Sequence, residues 1–220
     1  YREGGDLAAK TERPLSLGKL VRIVGQDRSF WPVLRLGIAM SAFQFTLTAH
    51  AIGFMADGLG LGLFAASSMF AATQLAGIPG RILLPWLSDR FRPGLRGQSF
   101  GLVSVIAAGA ATILALLPTG TPPLVILPVL VILGIFGIGW FPLYLLQIAE
   151  SAPKGSIAST IAFASTICLA VMAIGPYIFG LLVDSFGYGA AWSVLILPVV
   201  VTALPLAISL RPSRTQISSS

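Results

Sequence analysis

Residues 122–148 read PPLVILPVLVILGIFGIGWFPLYLLQI, a run without a single charged side chain. About 20 mostly apolar helical residues are needed to cross a hydrocarbon core about 30 Å thick, so this run predicts a membrane-spanning helix. Five other stretches have the same character: residues 31–54, 63–87, 99–117, 157–183 and 189–210. We therefore predict an all-α integral membrane protein, in which residues 31–210 form a bundle of six transmembrane helices.

The composition excludes several other classes of protein. Hydrophobic residues make up 55% of the 220 positions and charged residues only 10%, whereas about a quarter of a soluble domain is charged. The net charge of +6 suggests nucleic-acid binding, but the basic residues lie in short interruptions between apolar runs and form no basic face. Since Cys168 and His50 are the only residues of their types, we expect no disulfide scaffold, no metal site and no cofactor.

The basic residues also predict a topology. They precede the first span, follow the second, occur in the fourth connection and return in the tail, whereas the first, third and fifth connections have none. The positive-inside rule then places both ends of this segment in the cytoplasm and the bundle in the cell (inner or plasma) membrane. Residues 1–30 are predicted to be a cytoplasmic linker and residues 211–220 a cytoplasmic tail. The linker is either an amphipathic surface helix or a disordered lead-in.

Polar side chains are concentrated in the first two spans. Those in the first are Ser41, Gln44, Thr46, Thr48 and His50, and those in the second are Ser67, Ser68, Thr73, Gln74 and Arg81. Because polar groups inside a bilayer are costly and usually face a cavity or a partner helix, we predict that these two spans line a wet cavity. The third and sixth spans, which have few polar residues, are predicted to face lipid.

Two residues invite a functional interpretation. Ser67, Gln74 and Arg81 recur at intervals of seven and therefore share a helical face. At the end of this stripe the Arg81 guanidinium would suit bidentate capture of a carboxylate, or it simply snorkels to water or pairs with Asp89. His50 would bind substrate or carry a proton; the alternative is a histidine that is hydrogen-bonded to a backbone carbonyl or wetted at the membrane interface.

Three segments together resemble the major facilitator superfamily of transporters. Residues 79–90, PGRILLPWLSDR, are similar to the second-half copy of its loop motif, with Asp89 and Arg90 matching and with Arg92 and Arg96 as the basic cluster. Residues 134–142 and 175–184 resemble its tenth and eleventh spans. In that family the loop residues pair with helix ends and hold the inward gate shut, so the resemblance implies a gating role for Asp89, Arg90 and Arg92.

The resemblance implies that the chain is the C-terminal half, spans seven to twelve, of a 12-helix fold. Its partners would be a small-molecule substrate, the lipid bilayer and the N-terminal six-helix half of the same protein, but no nucleic acid. An arginine eight residues before the loop aspartate resembles the monocarboxylate and oxalate/formate porters, although Gly77 stands where monocarboxylate carriers have an aspartate. We therefore expect a secondary transporter of a small organic anion. The expected substrate-binding residues are Arg81, Gln74, Gln44, His50 and Tyr144.

Two other functions stay open at this point. The same superfamily contains exporters of amphipathic drugs, in which Arg81 would have only a gating role. A self-contained six-span channel or scaffold is an alternative of a different class. An enzyme is not expected, because no span contains paired carboxylates, a histidine cluster or a nucleophile with a recognisable base.

Overall fold

The computed structural model describes residues 30–153 and 155–209, and within them all regular structure is helical. The predicted linker, apart from residue 30, and the predicted tail lie outside the described residues. The helices are α1 (Phe30–Gly53), α2 (Leu63–Phe91), α3 (Arg96–Leu116), α4 (Pro123–Ile132), α5 (Phe141–Ser151) and a long helical stretch, Ile157–Ala207. One π-helical turn, Phe54–Gly58, extends α1, and a second, Leu133–Ile138, connects α4 to α5.

The long stretch consists of two helices. At Gly187 the backbone adopts φ 79° and ψ 171°, which is not helical, and which a residue with a Cβ atom rarely adopts. We therefore divide the stretch into α6, residues 157–186, and α7, residues 188–207. The division falls in the predicted connection between the fifth and sixth spans.

Four described segments are long and apolar enough to cross a membrane. They are Phe30–Gly58, Arg96–Leu116, Pro123–Ser151 and Ile157–Ala207. The last has 51 residues, about 75 Å of helix and more than two hydrocarbon thicknesses. Helix α2, with 29 residues, is also long enough to cross a membrane. It is less apolar than these four segments, and it carries Gln74 and Arg81. The prediction of an all-α membrane bundle is confirmed.

Aromatic side chains join α1, α3 and α5 in the core. Phe100, Trp140 and Tyr144 are fully buried, and the ring centroids of both Phe100 and Tyr144 lie 5.6 Å from that of Trp140. The Tyr144 ring also lies against Gly37, where a Cβ atom would come within 2.7 Å of Tyr144 Cζ. Only glycine at position 37 leaves room for this ring.

A second close contact fixes the rotation of α2. Gly77 and Gly80 are buried against the π-helical turn, where a Cβ atom on Gly80 would lie 2.5 Å from the Ile135 carbonyl oxygen and 3.2 Å from Gly139 Cα. Small residues allow membrane helices to approach this closely. Gly77 and Gly80 lie on the buried face of α2, whereas Gln74 and Arg81 lie beside that face and are exposed.

Candidate functional site

Arg81 lies on the outward face of α2. It is exposed, as are Gln74 and the intervening Ile78, and it lies ten residues before the end of the helix at Phe91, about 15 Å along the axis. Within the described part of the chain, Arg81 forms no ion pair or hydrogen bond. The predicted stripe of Gln74 and Arg81 therefore forms one exposed face, and Asp89 is paired with another residue.

Gln44 and Tyr144 belong to one packed cluster. The Trp140 indole Nε1–H donates to Gln44 Oε1 over 2.8 Å, and Trp140 packs against Tyr144. The Tyr144 hydroxyl lies 3.5 Å from Cys168 Sγ, and the Tyr144 side chain is 0% exposed. Gln44 is only half-buried, so it is the member of this cluster that lies nearest the surface.

His50 is bound to the backbone of α6. Its Nε2 lies 2.9 Å from the Pro176 carbonyl oxygen, to which it donates as the Nε2–H tautomer, and its ring lies 4.8 Å from that of Phe179. The side chain is half-buried. The structure thus shows the contact that the alternative interpretation of His50 specified, a hydrogen bond to a backbone carbonyl.

Replacing His50 with phenylalanine tests how much this hydrogen bond contributes to stability. The new ring keeps the packing against Phe179 but donates nothing to the Pro176 carbonyl. We expect His50→Phe to lower the free energy of unfolding by about 1 kcal/mol, measured by thermal melting in detergent. An unchanged melting temperature would show that the bond contributes nothing to stability.

The structure divides the predicted binding residues into three groups. Arg81 and Gln74 share the face of α2, Gln44 and Tyr144 are joined through Trp140, and His50 is held by α6. Among residues 30–153 and 155–209, no hydrogen bond or ring contact joins one group to another.

An ionic network lies where α2, α3 and α5 meet. Arg96 holds Asp89 with two hydrogen bonds, Nε to Oδ1 at 2.8 Å and Nη2 to Oδ2 at 3.0 Å. Its Nη1 also donates to Glu150 Oε1. Arg90 and Arg92 are exposed and form no ion pair with any described residue. Of the predicted gating residues, therefore, only Asp89 belongs to this network, and its partner in it is Arg96.

Sequence reasoning did not include Glu150 among the site residues. A usable signal existed, because the alternating topology puts Asp89, Arg96 and Glu150 on the same side of the membrane. Arg96 and Glu150 are 54 residues apart, so their pairing depends on how closely α5 approaches the start of α3. A Cβ atom on Gly97 would lie 3.7 Å from Gln147, which is van der Waals contact and shows that α3 and α5 meet here.

Several buried polar atoms lie in residues next to this network along the chain. Within the described ranges, the side-chain oxygens without a hydrogen-bond partner include Ser88 Oγ, Ser99 Oγ, Gln147 Oε1 and Glu150 Oε2. Buried polar groups are usually satisfied by protein or water. At this end of the bundle, therefore, several buried oxygens could accept hydrogen bonds that no described residue donates.

The described residues offer no group of three His, Cys, Asp or Glu side chains that could hold a metal ion.

Among curated proteins, no sequence matches the chain closely enough to count as a relative. The sequence profile of the Major Facilitator Superfamily matches residues 2–176. This match covers most of the chain, and the long apolar helices fit it. The chain belongs to the major facilitator superfamily of membrane transporters.

Proposed function

We propose that this chain forms the second six-helix half of a 12-helix secondary transporter in the cell (inner or plasma) membrane, with both ends of the segment in the cytoplasm. The transported solute is a small organic anion such as a monocarboxylate, and the two halves rock around a central site. Membership of the superfamily supports transport. The choice of an anion rests on the placement of Arg81.

Arg81 carries a positive charge on an exposed face of a membrane helix. Its near neighbours on the helix, Ile78 and Ile82, are 59% and 71% exposed, so the surface next to the guanidinium is apolar. A charge at such a position is costly unless it is paired or wetted. A carboxylate would supply a bidentate partner for the guanidinium, and the Gln74 amide, about two turns away, would donate to the same solute.

The remaining predicted residues have different roles in this proposal. Gln44 uses its oxygen to accept from Trp140, which leaves its amide N–H groups for substrate. His50 uses Nε2 for Pro176, which leaves Nδ1. Tyr144 is fully buried, so we assign it an indirect role, in which it packs against Trp140 and thereby positions Gln44.

The N-terminal six-helix half is the proposed partner of the outward faces of α2 and α6. Both faces expose large apolar side chains, and their exposed fractions range from 49% to 71%. They include Leu75, Ile78, Ile82, Ile174, Ile178 and Leu181. A second half would cover these faces and enclose Arg81 in a shared cavity.

We assign the gate to the Asp89–Arg96–Glu150 network. It ties the end of α2 and the start of α3 to the end of α5, so it closes this end of the bundle. The exposed Arg90 and Arg92 side chains lie in the last turn of α2 and just after it, and they would contact the other half. The unfilled acceptors at Ser88, Ser99, Gln147 and Glu150 support a further partner at this end.

Uptake by proteoliposomes that contain the full-length protein tests the anion site. We expect Arg81→Ala to raise the KM for a labelled small monocarboxylate about 10- to 100-fold, because a hydrogen bond to a charged group contributes about 1.5–3 kcal/mol. Arg81→Lys should recover only part of this loss, since lysine has no bidentate fork. Arg35→Ala, which removes another exposed arginine, is the matched control and should leave the KM unchanged.

The same assay separates the anion porter from the drug exporter. A neutral amide of the same size should be a poor substrate for the wild-type protein. If Arg81→Ala leaves carboxylate affinity unchanged while amphipathic cations are exported, the anion site is refuted and the exporter is supported.

A further inference from the structure

Trp140 holds one end of the Gln44 side-chain amide. The Trp140 ring is fully buried and is stacked on Phe100, with centroids 5.6 Å apart and an angle of 18° between the ring planes. Phe141 and Tyr144 pack against it at steeper angles, with centroids 5.5 and 5.6 Å away. These contacts fix the position of the indole, and its nitrogen Nε1 donates to Gln44 Oε1 over 2.8 Å.

This hydrogen bond decides which end of the amide faces the indole. An indole nitrogen only donates hydrogen bonds, so the Gln44 atom that faces it has to be the oxygen. The opposite orientation would set the amide NH₂ group against the indole N–H, and the buried Trp140 donor would lose its acceptor. The chemistry of the partner therefore assigns the orientation of the amide.

The other end of the amide is available to a solute. Gln44 is half-buried, and its Nε2 is not one of the buried side-chain atoms that lack a partner. No described residue accepts a hydrogen bond from Nε2, so this nitrogen keeps accessible surface and both of its hydrogens are free. Gln44 therefore presents its NH₂ group outward, while its oxygen is turned toward Trp140.

A contact between two glycines brings Trp140 close to Arg81. Gly139 and Gly80 directly precede these two residues, and a Cβ atom on Gly80 would lie 3.2 Å from Gly139 Cα. Gln44 lies about 21 Å along the axis from the beginning of α1, and Arg81 about 15 Å from the end of α2. Because a short connection makes α1 and α2 antiparallel, both side chains lie at similar depths from the same end of the bundle.

We propose that Trp140 sets the preference of this transporter for a carboxylate over a neutral amide. This preference rests on the proposed function, in which Arg81 binds the carboxylate. Both oxygens of a carboxylate accept hydrogen bonds, so they match the Arg81 guanidinium and the Gln44 NH₂ group together. A primary amide has to turn its own NH₂ group toward one of these donors, and that contact is lost. Trp140 is thus a positioning residue, which contacts Gln44 and keeps its amide from turning.

Competition for uptake into proteoliposomes that contain the full-length protein tests this role. The probes are acetate, propionate and lactate, each compared with its own primary amide as an inhibitor. We expect Trp140→Phe to lower the preference for the acid about two- to tenfold, because the released Gln44 amide can turn its oxygen toward the NH₂ group of the inhibitor. The KM for the acid should rise and the inhibition constant of the amide should fall. A purely structural defect would weaken both alike.

Two further variants assign the effect to the hydrogen bond. Trp192→Phe is the matched control, since Trp192 is also buried but its Nε1 has no acceptor among the described residues; it should keep the wild-type preference. Gln44→Leu should lower the preference as Trp140→Phe does. Adding Trp140→Phe to Gln44→Leu should then change the preference no further, as expected for two residues that act as one unit.

The outcomes separate this role from the proposed function. A wild-type preference in Trp140→Phe, or an equal loss on adding it to Gln44→Leu, would overturn the role of Trp140 and leave anion transport standing. If the wild-type protein takes up none of the three acids, the proposed function fails and this role fails with it. If Trp140→Phe does not fold, Gln44→Glu decides, because it keeps an oxygen for Trp140 and replaces Nε2 with a second oxygen. That variant should bind the amides better than the acids, and an unchanged preference for the acids would overturn the proposal.

Discussion

Arg96→Ala is expected to reduce the maximal rate of transport at least tenfold and to destabilise the protein. Among the described residues, Arg96 is the one cation that pairs with both Asp89 and Glu150, and its own side chain is 21% exposed. Removing one partner of a fully buried pair costs about 3–5 kcal/mol. Because this network is partly wetted, we expect a loss of about 1–3 kcal/mol, measured by thermal melting in detergent.

A second substitution separates the effect of Arg96→Ala on stability from its effect on transport. Arg96→Ala leaves both Asp89 and Glu150 unpaired, and Glu150 is the more buried of the two. Adding Glu150→Gln removes the more costly of these charges, so it should recover part of the lost stability. It should not recover transport, because the bridge between α3 and α5 remains broken. Arg35→Ala, at an exposed arginine without a described ion pair, is the matched control for both measurements. Wild-type transport in Arg96→Ala would refute the assignment of this network to the gate.

Gly80→Ala is expected to destabilise the bundle strongly. The added Cβ would lie 2.5 Å from the Ile135 carbonyl oxygen, so α2 and the π-helical turn must move apart. Overpacking of this kind costs about 1–3 kcal/mol, and the rigid backbone on both sides places Gly80 at the upper end. The shift should appear in thermal unfolding, and transport should fall because the Arg81 face rotates with α2.

Gly109→Ala is the matched control for this prediction. Gly109 also lies inside a helix, but a Cβ atom there would meet nothing within 4 Å. We expect that change to raise stability by about 0.5–1 kcal/mol, because alanine is the better helix former. If both alanine variants melt at the same temperature, the glycine contact does not hold α2 in place.

Composition and hydropathy predict the helical membrane bundle because a bilayer forces every backbone polar group into an internal hydrogen bond. The six predicted stretches overlap the helical segments that the structure describes. The π-helical turns at Phe54–Gly58 and Leu133–Ile138 were not predicted, since each inserts one residue without changing the apolar character of the run. The break between α6 and α7 depends on the backbone angles of one residue, Gly187, and hydropathy carries no information about those angles.

The sequence predicts which polar residues could form the site, but it does not predict how they are placed relative to one another. The interval of seven predicts that Gln74 and Arg81 share a face, and both side chains are exposed. The interval does not predict that the face is outward, because the rotation of α2 is set by Gly80 and its contact with the π-helical turn. The sequence also does not predict that Gln44 accepts a hydrogen bond from Trp140, because the two residues are 96 positions apart.

Counterflow tests our proposal that this protein is a carrier that moves a small organic anion by alternating access. Proteoliposomes with the full-length protein are loaded with unlabelled monocarboxylate and diluted into a trace of the labelled compound. A carrier predicts a transient accumulation of label above equilibrium, and this overshoot should be absent in Arg81→Ala. Label that rises to equilibrium without an overshoot in the wild-type protein, as through a channel, would refute transport by a carrier.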